Sequence, residues 1–218
     1  MTEQLTGLQL MGIGSVRELS ATMAQPLAEP DPEPAAVKIP GERIMLDSVA
    51  LAAIPHLVVE NAQMIACYVT GEYAVPYKGY AESLFPNCII VPIDVNVYLP
   101  QKARVLDVEA GAALPDECEE WISRWIKYNP AYPDGGRPVI YCDRDSIPAV
   151  REGTGRYLLG LDYFLWVATG DGTVYRGTEL EGPHAASGVV ACQNRWYAKY
   201  DSSVVFSAAW MPQPPGVA

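Results

Sequence analysis

The chain has 218 residues, half of them hydrophobic and 19% charged, which is the composition of a folded protein with one sizeable core. Its formal charge of −11 argues against a nucleic-acid or anionic-membrane partner, since both demand a basic surface. No run of 18 apolar residues spans a membrane, and MTEQLTGLQLMGIG lacks the basic start and apolar centre of a secretory signal. A chain made in the cytoplasm is therefore expected.

Residues 1–24 carry scattered apolar positions between Gly7, Gly12 and Gly14, with room for a short helix near Ser15–Met23. Prolines 26, 30, 32, 34 and 40 follow, with acids between them. Proline blocks both helix and ladder hydrogen bonds, so this stretch is expected to be an extended spacer within an N-terminal arm over 1–40, with attachment to a protein assembly as the arm's candidate role. From there on the pattern changes to apolar runs alternating with loops and helical stretches. A domain over 41–208 and a C-terminal tail over 209–218 are expected.

Eight runs read as strands: 43–49, 64–70, 88–95, 103–109, 138–143, 163–169, 188–194 and 202–206. Several are almost continuously apolar, as strands buried on both faces are. Helices fit between them at 48–53, 74–85, 114–128 and 147–157. The clearest is 114–128, where Trp121, Ile122, Trp125 and Ile126 form an apolar stripe after Pro115 and Asp116. Eight strands with crossovers predict an α/β fold, a compact and irregular (β/α)8 barrel of the TIM type, with a doubly wound sheet as the alternative.

The run ARVLDVEAG at 103–111 holds the strongest functional signal. Side chains alternate along a strand, so Asp107 and Glu109 share one face while Leu106 and Val108 share the other. The pair ends a strand, where α/β barrels place their chemistry. Two carboxylates there suit glycoside hydrolysis, one protonating the leaving oxygen and the other stabilising or attacking the sugar centre. Asp47, Asp94 and Asp201 also lie at strand ends and are expected to join them. Tyr68, Tyr141 and Trp166, with other strand-end aromatics, offer rings on which sugar C–H faces stack.

Other chemistries lack their motifs. No Gly-rich phosphate turn follows the first strand, so no nucleotide cofactor is expected. The five cysteines, Cys67, Cys88, Cys118, Cys142 and Cys192, show no CxxC spacing and read as reduced buried thiols. His56 and His184 are isolated beside prolines, and no calcium-loop spacing is present, so no metal site is expected.

The succession IMLDSV, VLDVEAG, PVIYCDRDSI, FLWVAT and VVACQNRWYAKYDSSVV resembles glycoside hydrolase family 25, the lysozyme-type muramidases, over roughly 43–206. The resemblance implies a barrel that cuts cell-wall peptidoglycan without a cofactor, released by host lysis or carried on a virion. It puts the general acid on Glu109 and gives Asp107 the task of stabilising the reacting centre or positioning its nucleophile. Asp47 and Asp201 complete the acidic floor, and Tyr141 and Trp166 contact sugar. Two stretches depart from the family's pattern: TGEYAVPYKGYAESLFPN after the second strand, and VATGDGTVY, whose Gly170-Asp171-Gly172 reads as a hairpin turn. An inactive barrel that binds glycan or decorates an assembly is the competing expectation.

Overall fold

Each apolar run of the sequence becomes a strand, and the strands pair in the order in which they are made. In the computed structural model they are β1 (Arg43–Asp47), β2 (Met64–Tyr68), β3 (Ile89–Asp94), β4 (Val105–Val108), β5 (Val139–Asp143), β6 (Phe164–Ala168), β7 (Val189–Trp196) and β8 (Asp201–Val205). They close into a barrel, β8 returning to β1. The structure describes residues 41–98, 103–132, 136–178, 180, 188–207 and 210, all within the unit Ile39–Ala218. The arm over 1–40 lies outside the described residues.

Strands β1 to β7 are parallel, whereas β8 runs antiparallel to both of its neighbours. The linker explains the reversal. Only residues 197–200 join β7 to β8, with the Tyr197 amide donating to the Tyr200 carbonyl at 3.0 Å. A parallel return needs a crossover of about a dozen residues or more. The regular strand–helix alternation of a (β/α)8 barrel therefore gives way at its end, and Asp201, the first residue of β8, reaches the rim where β1 ends.

Helices are short. A 3-10 turn, Leu51–Ala53, stands where 48–53 was expected, and α1 (His56–Val59) follows Pro55. In place of a helix over 74–85 there is a kinked turn, Tyr77–Ala81, leading into α2 (Glu82–Leu84). Gly79, at φ +90°, breaks the helical path there. The main helix, α3 (Cys118–Tyr128), starts from a turn whose Glu117 carboxylate accepts the Leu114 N–H at 2.8 Å. It buries Cys118, Trp121, Ile122 and Trp125 against the barrel wall. Their indole N–H groups fix its position: Trp121 donates to Asp94 at 3.1 Å and Trp125 to the Ala103 carbonyl at 2.9 Å. A shorter helix, α4 (Ile147–Gly153), follows β5.

Strand side chains thus face two cores. Met45, Met64, Val91, Val105, Val139, Phe164 and Val205 fill the interior, closed by Trp210, which is fully buried in the stretch expected to be a tail. On the outside, Leu106, Val108, Ile140 and Leu165 pack under α3 and α4, while Leu46, Ile65 and Cys67 pack under Leu51, Ile54 and Phe85. All five cysteines are unpaired, four of them buried, and burial raises the Cys67 and Cys118 thiols to about 12. Among the described residues no helix is long and apolar enough to cross a membrane.

Candidate active site

The barrel interior changes from apolar to acidic along the strand direction. Inward positions two residues apart read Met45 then Asp47 on β1, Val105 then Asp107 on β4, and Val139 then Tyr141 on β5. Each strand's last inward residues therefore project into the mouth formed by the carboxyl ends. Because β8 is reversed, its first residue joins them: Asp201 pairs directly with Asp47.

Asp47 is buried and held well above the usual carboxylate range, first by burial and then by the like charges of Asp201, Asp107 and Glu109. Gln193 of β7 directs its amide nitrogen at both Asp47 oxygens, at 3.4 and 3.5 Å. That orientation is set from behind. The Tyr141 hydroxyl donates to Oε1 of Gln193, so the amide NH2 must turn toward Asp47.

Asp107 is also buried, and its carboxyl is raised to about 8 by burial and by Glu109, against the lowering effect of a hydrogen bond from the Tyr68 hydroxyl. Its Oδ1 is buried without a hydrogen-bond partner. Glu109 stands exposed just past the end of β4. The surrounding protein raises its carboxyl, with Asp143 and Asp201 adding like charge. Asp201 is half-buried and raised by burial, an effect opposed by the Tyr197 N–H. These four acids meet as expected.

Asp143, at the end of β5, is a further acid beside Glu109 that no motif marks. It adds negative charge to Glu109 while accepting hydrogen bonds from the Ser146 amide at 2.8 Å and hydroxyl at 2.6 Å. Its signal was available, since it closes an apolar strand just as Asp47 does.

Two expected site residues lie elsewhere. Asp94 follows the outward side of β3: fully buried, it accepts from the Thr70 hydroxyl, the Trp121 indole and, at 3.3 Å, the Asn96 amide. It anchors α3 and does not join the mouth. Trp166 points inward but sits too deep for ligand contact, with 1% exposure, its indole donating to Ser203 at 3.0 Å and its ring between Tyr141 and Trp210. Tyr141 is buried against it, ring centroids 4.8 Å apart, and serves as the floor of the mouth. Tyr68 remains half-exposed beside Tyr73.

The Gly170–Gly172 turn is not a hairpin into the next strand, because β6 and β7 are parallel. It folds back along the end of β7, where Thr169 and Gly170 donate to the Gln193 carbonyl and Asp171 bridges to Arg195. Among the described residues, no cluster of three or more His, Cys, Asp and Glu is placed to hold a metal ion.

No family model matches the chain, and no curated protein matches it. Among solved structures, the crystal structure of the Clostridium perfringens spore cortex lytic enzyme SleM is similar over 77% of this chain and 68% of its own, at 13% identity and a TM-score of 0.47. The barrel architecture stands on the strand pairing itself.

Proposed function

We propose that this barrel is a lysozyme-like glycoside hydrolase acting on bacterial cell-wall peptidoglycan. The observation that carries the reading is the convergence of Asp47, Asp107, Glu109 and Asp201 at the mouth, with every one of the four carboxyls raised. Glycoside hydrolysis needs one carboxyl that still holds a proton and another that carries or positions negative charge. Clustering supplies both, because like charges in a partly dry site cannot all ionise together.

In this reading Glu109 protonates the leaving glycosidic oxygen. It is the acid on the exposed rim, within reach of a polymer that cannot enter the barrel. Asp107 stabilises the reacting centre, and its unpartnered Oδ1 is an acceptor for an N–H or O–H of the bound sugar. Asp47 and Asp201 hold the remaining charge of the floor, with Gln193 and Tyr141 fixing Asp47 in place.

A second reading is a barrel that binds glycan without cutting it, using residues 1–40 as its anchor on a virion or other assembly. Its support is that Asp107, raised to about 8, is largely protonated at neutral pH, and that burial and like charge raise Asp47 too, which leaves less charge to stabilise a cationic sugar centre. Turbidity clearing of purified peptidoglycan by wild type beside Glu109→Gln separates the two. Clearing by wild type alone supports the hydrolase; co-sedimentation of both proteins with uncleared wall supports the binder.

A further inference from the structure

One large aromatic at the mouth has no part in the acid cluster. Of the five tryptophans, Trp121, Trp125, Trp166 and Trp210 are buried, whereas Trp196, the last residue of β7, is 61% exposed. Single exposed apolar side chains are ordinary on protein surfaces. Two features of the backbone show that this one is aimed and seated.

The first is a bulge. Gln193 pairs with Ser203, but the next pairs are Arg195 with Ser202 and Trp196 with Asp201, so Asn194 is an extra residue on β7. Directly opposed residues share a sheet face, which puts Trp196 on the side of Asp201, the acidic mouth. A ladder without the extra residue would set Arg195 opposite Asp201 and bring a cation to that position. The bulge is held in place, since the Asn194 carbonyl accepts the Gly172 amide at 2.7 Å.

The second is the seat. A Cβ added to Gly170 would fall 2.5 Å from Cε3 and Cζ3 of the Trp196 ring. The indole therefore rests on a bare backbone that also adopts φ +66°, a conformation suited to glycine. The same turn donates from Thr169 and Gly170 to the Gln193 carbonyl. One strip of backbone thus positions both the residue that faces Asp47 and the ring at the rim.

We propose that Trp196 is a sugar-stacking platform, a binding subsite for one pyranose ring of an N-acetylated amino-sugar chain, adjoining the acid cluster on the β7–β8 side. Polarised C–H groups on one face of such a ring meet the negative face of the indole, and a ring already fixed by its seat loses little freedom on binding. This inference rests on the glycan-cleaving reading of the mouth and names where the chain lies across it.

The test uses the full chain with Glu109→Gln to prevent turnover, and a tetramer of N-acetylglucosamine as the probe. Acrylamide quenching of tryptophan emission reads Trp196, because the other four indoles are buried. The tetramer should protect that emission; Glu109→Gln/Trp196→Ala should lose the quenchable component and bind about tenfold more weakly, with Trp196→Phe intermediate. Gly170→Ala, which pushes the ring off its seat, should weaken binding while the indole remains. Binding without protection, binding by the Trp196→Ala variant within about twofold, or no binding of the tetramer overturns the assignment. Wall clearing by wild type is scored separately. Clearing without protection removes the platform and leaves the hydrolase; protection without clearing keeps the platform on a barrel that only binds.

Discussion

Asp47 and Asp201 stand directly opposite each other where β1 and β8 pair antiparallel. Opposed side chains on such a pair lie close together, and two like charges there repel. Burial raises Asp47 first, and the arrangement adds to it and brings like charge to the mouth beside the rim acid Glu109. Replacing single members of this group gives outcomes that differ by role.

Glu109→Gln should lower wall clearing by at least about 100-fold, because the amide has the shape of the acid but no proton to give. Glu109 is exposed, so the melting temperature should stay unchanged. A clearing assay beside a thermal melt checks both. A large loss of stability would make Glu109 a structural residue instead.

The raised carboxyls make stability depend on pH with a definite sign. Asp107 titrates near 3.8 when unfolded and about 8 when folded, so between those values the folded state binds more protons than the unfolded one. Its contribution is therefore full at the acid end and is lost as pH rises through that window. Thermal melts from pH 4 to pH 8 should show the melting temperature falling, and Asp107→Asn should flatten the fall and exceed wild type at pH 8. Activity should fall as Glu109 loses its proton, with the alkaline limb above that expected for a free glutamate.

Tyr141→Phe removes the hydroxyl that orients Gln193 and leaves a buried carbonyl oxygen unpaired. The cost should be about 1–3 kcal/mol, seen as a melting temperature lower by several degrees. Clearing per folded molecule should also drop, because the Gln193 amide is free to turn away from Asp47. Gln193→Ala in the Tyr141→Phe background should then add less than it does in wild type, which a double-mutant cycle measures.

Asp94→Ala tests the opposite assignment. It strips the partner from the Thr70 hydroxyl and the Trp121 indole, so α3 should loosen and unfolding should become easier by about 2–4 kcal/mol in denaturant titration. Binding of the N-acetylglucosamine tetramer at a temperature where the protein stays folded should be unchanged. Loss of binding without loss of stability would return Asp94 to the site.

Local sequence was enough to place the eight strands and α3, because these depend on period and on apolar runs that a short window contains; Glu109, expected on the strand beside Asp107, lies instead just past the end of β4. The same period is silent about which face of a doubly buried strand looks inward. On β3, Ile90 and Val91 are equally apolar, and only barrel closure turns Val91 and Ile93 inside and sends Asp94 out to Trp121. Depth is likewise a tertiary quantity, which is why Trp166 was legible as a strand residue but not as one sealed beneath Tyr141. The direction of β8 was decided by a linker too short for a crossover, and the side on which Trp196 projects was decided by one extra residue at Asn194. Sequence by itself determined which side chains alternate and which acids the mouth could draw on; pairing, reversal and the bulge decided which of them meet, because those are properties of neighbouring strands and not of any one.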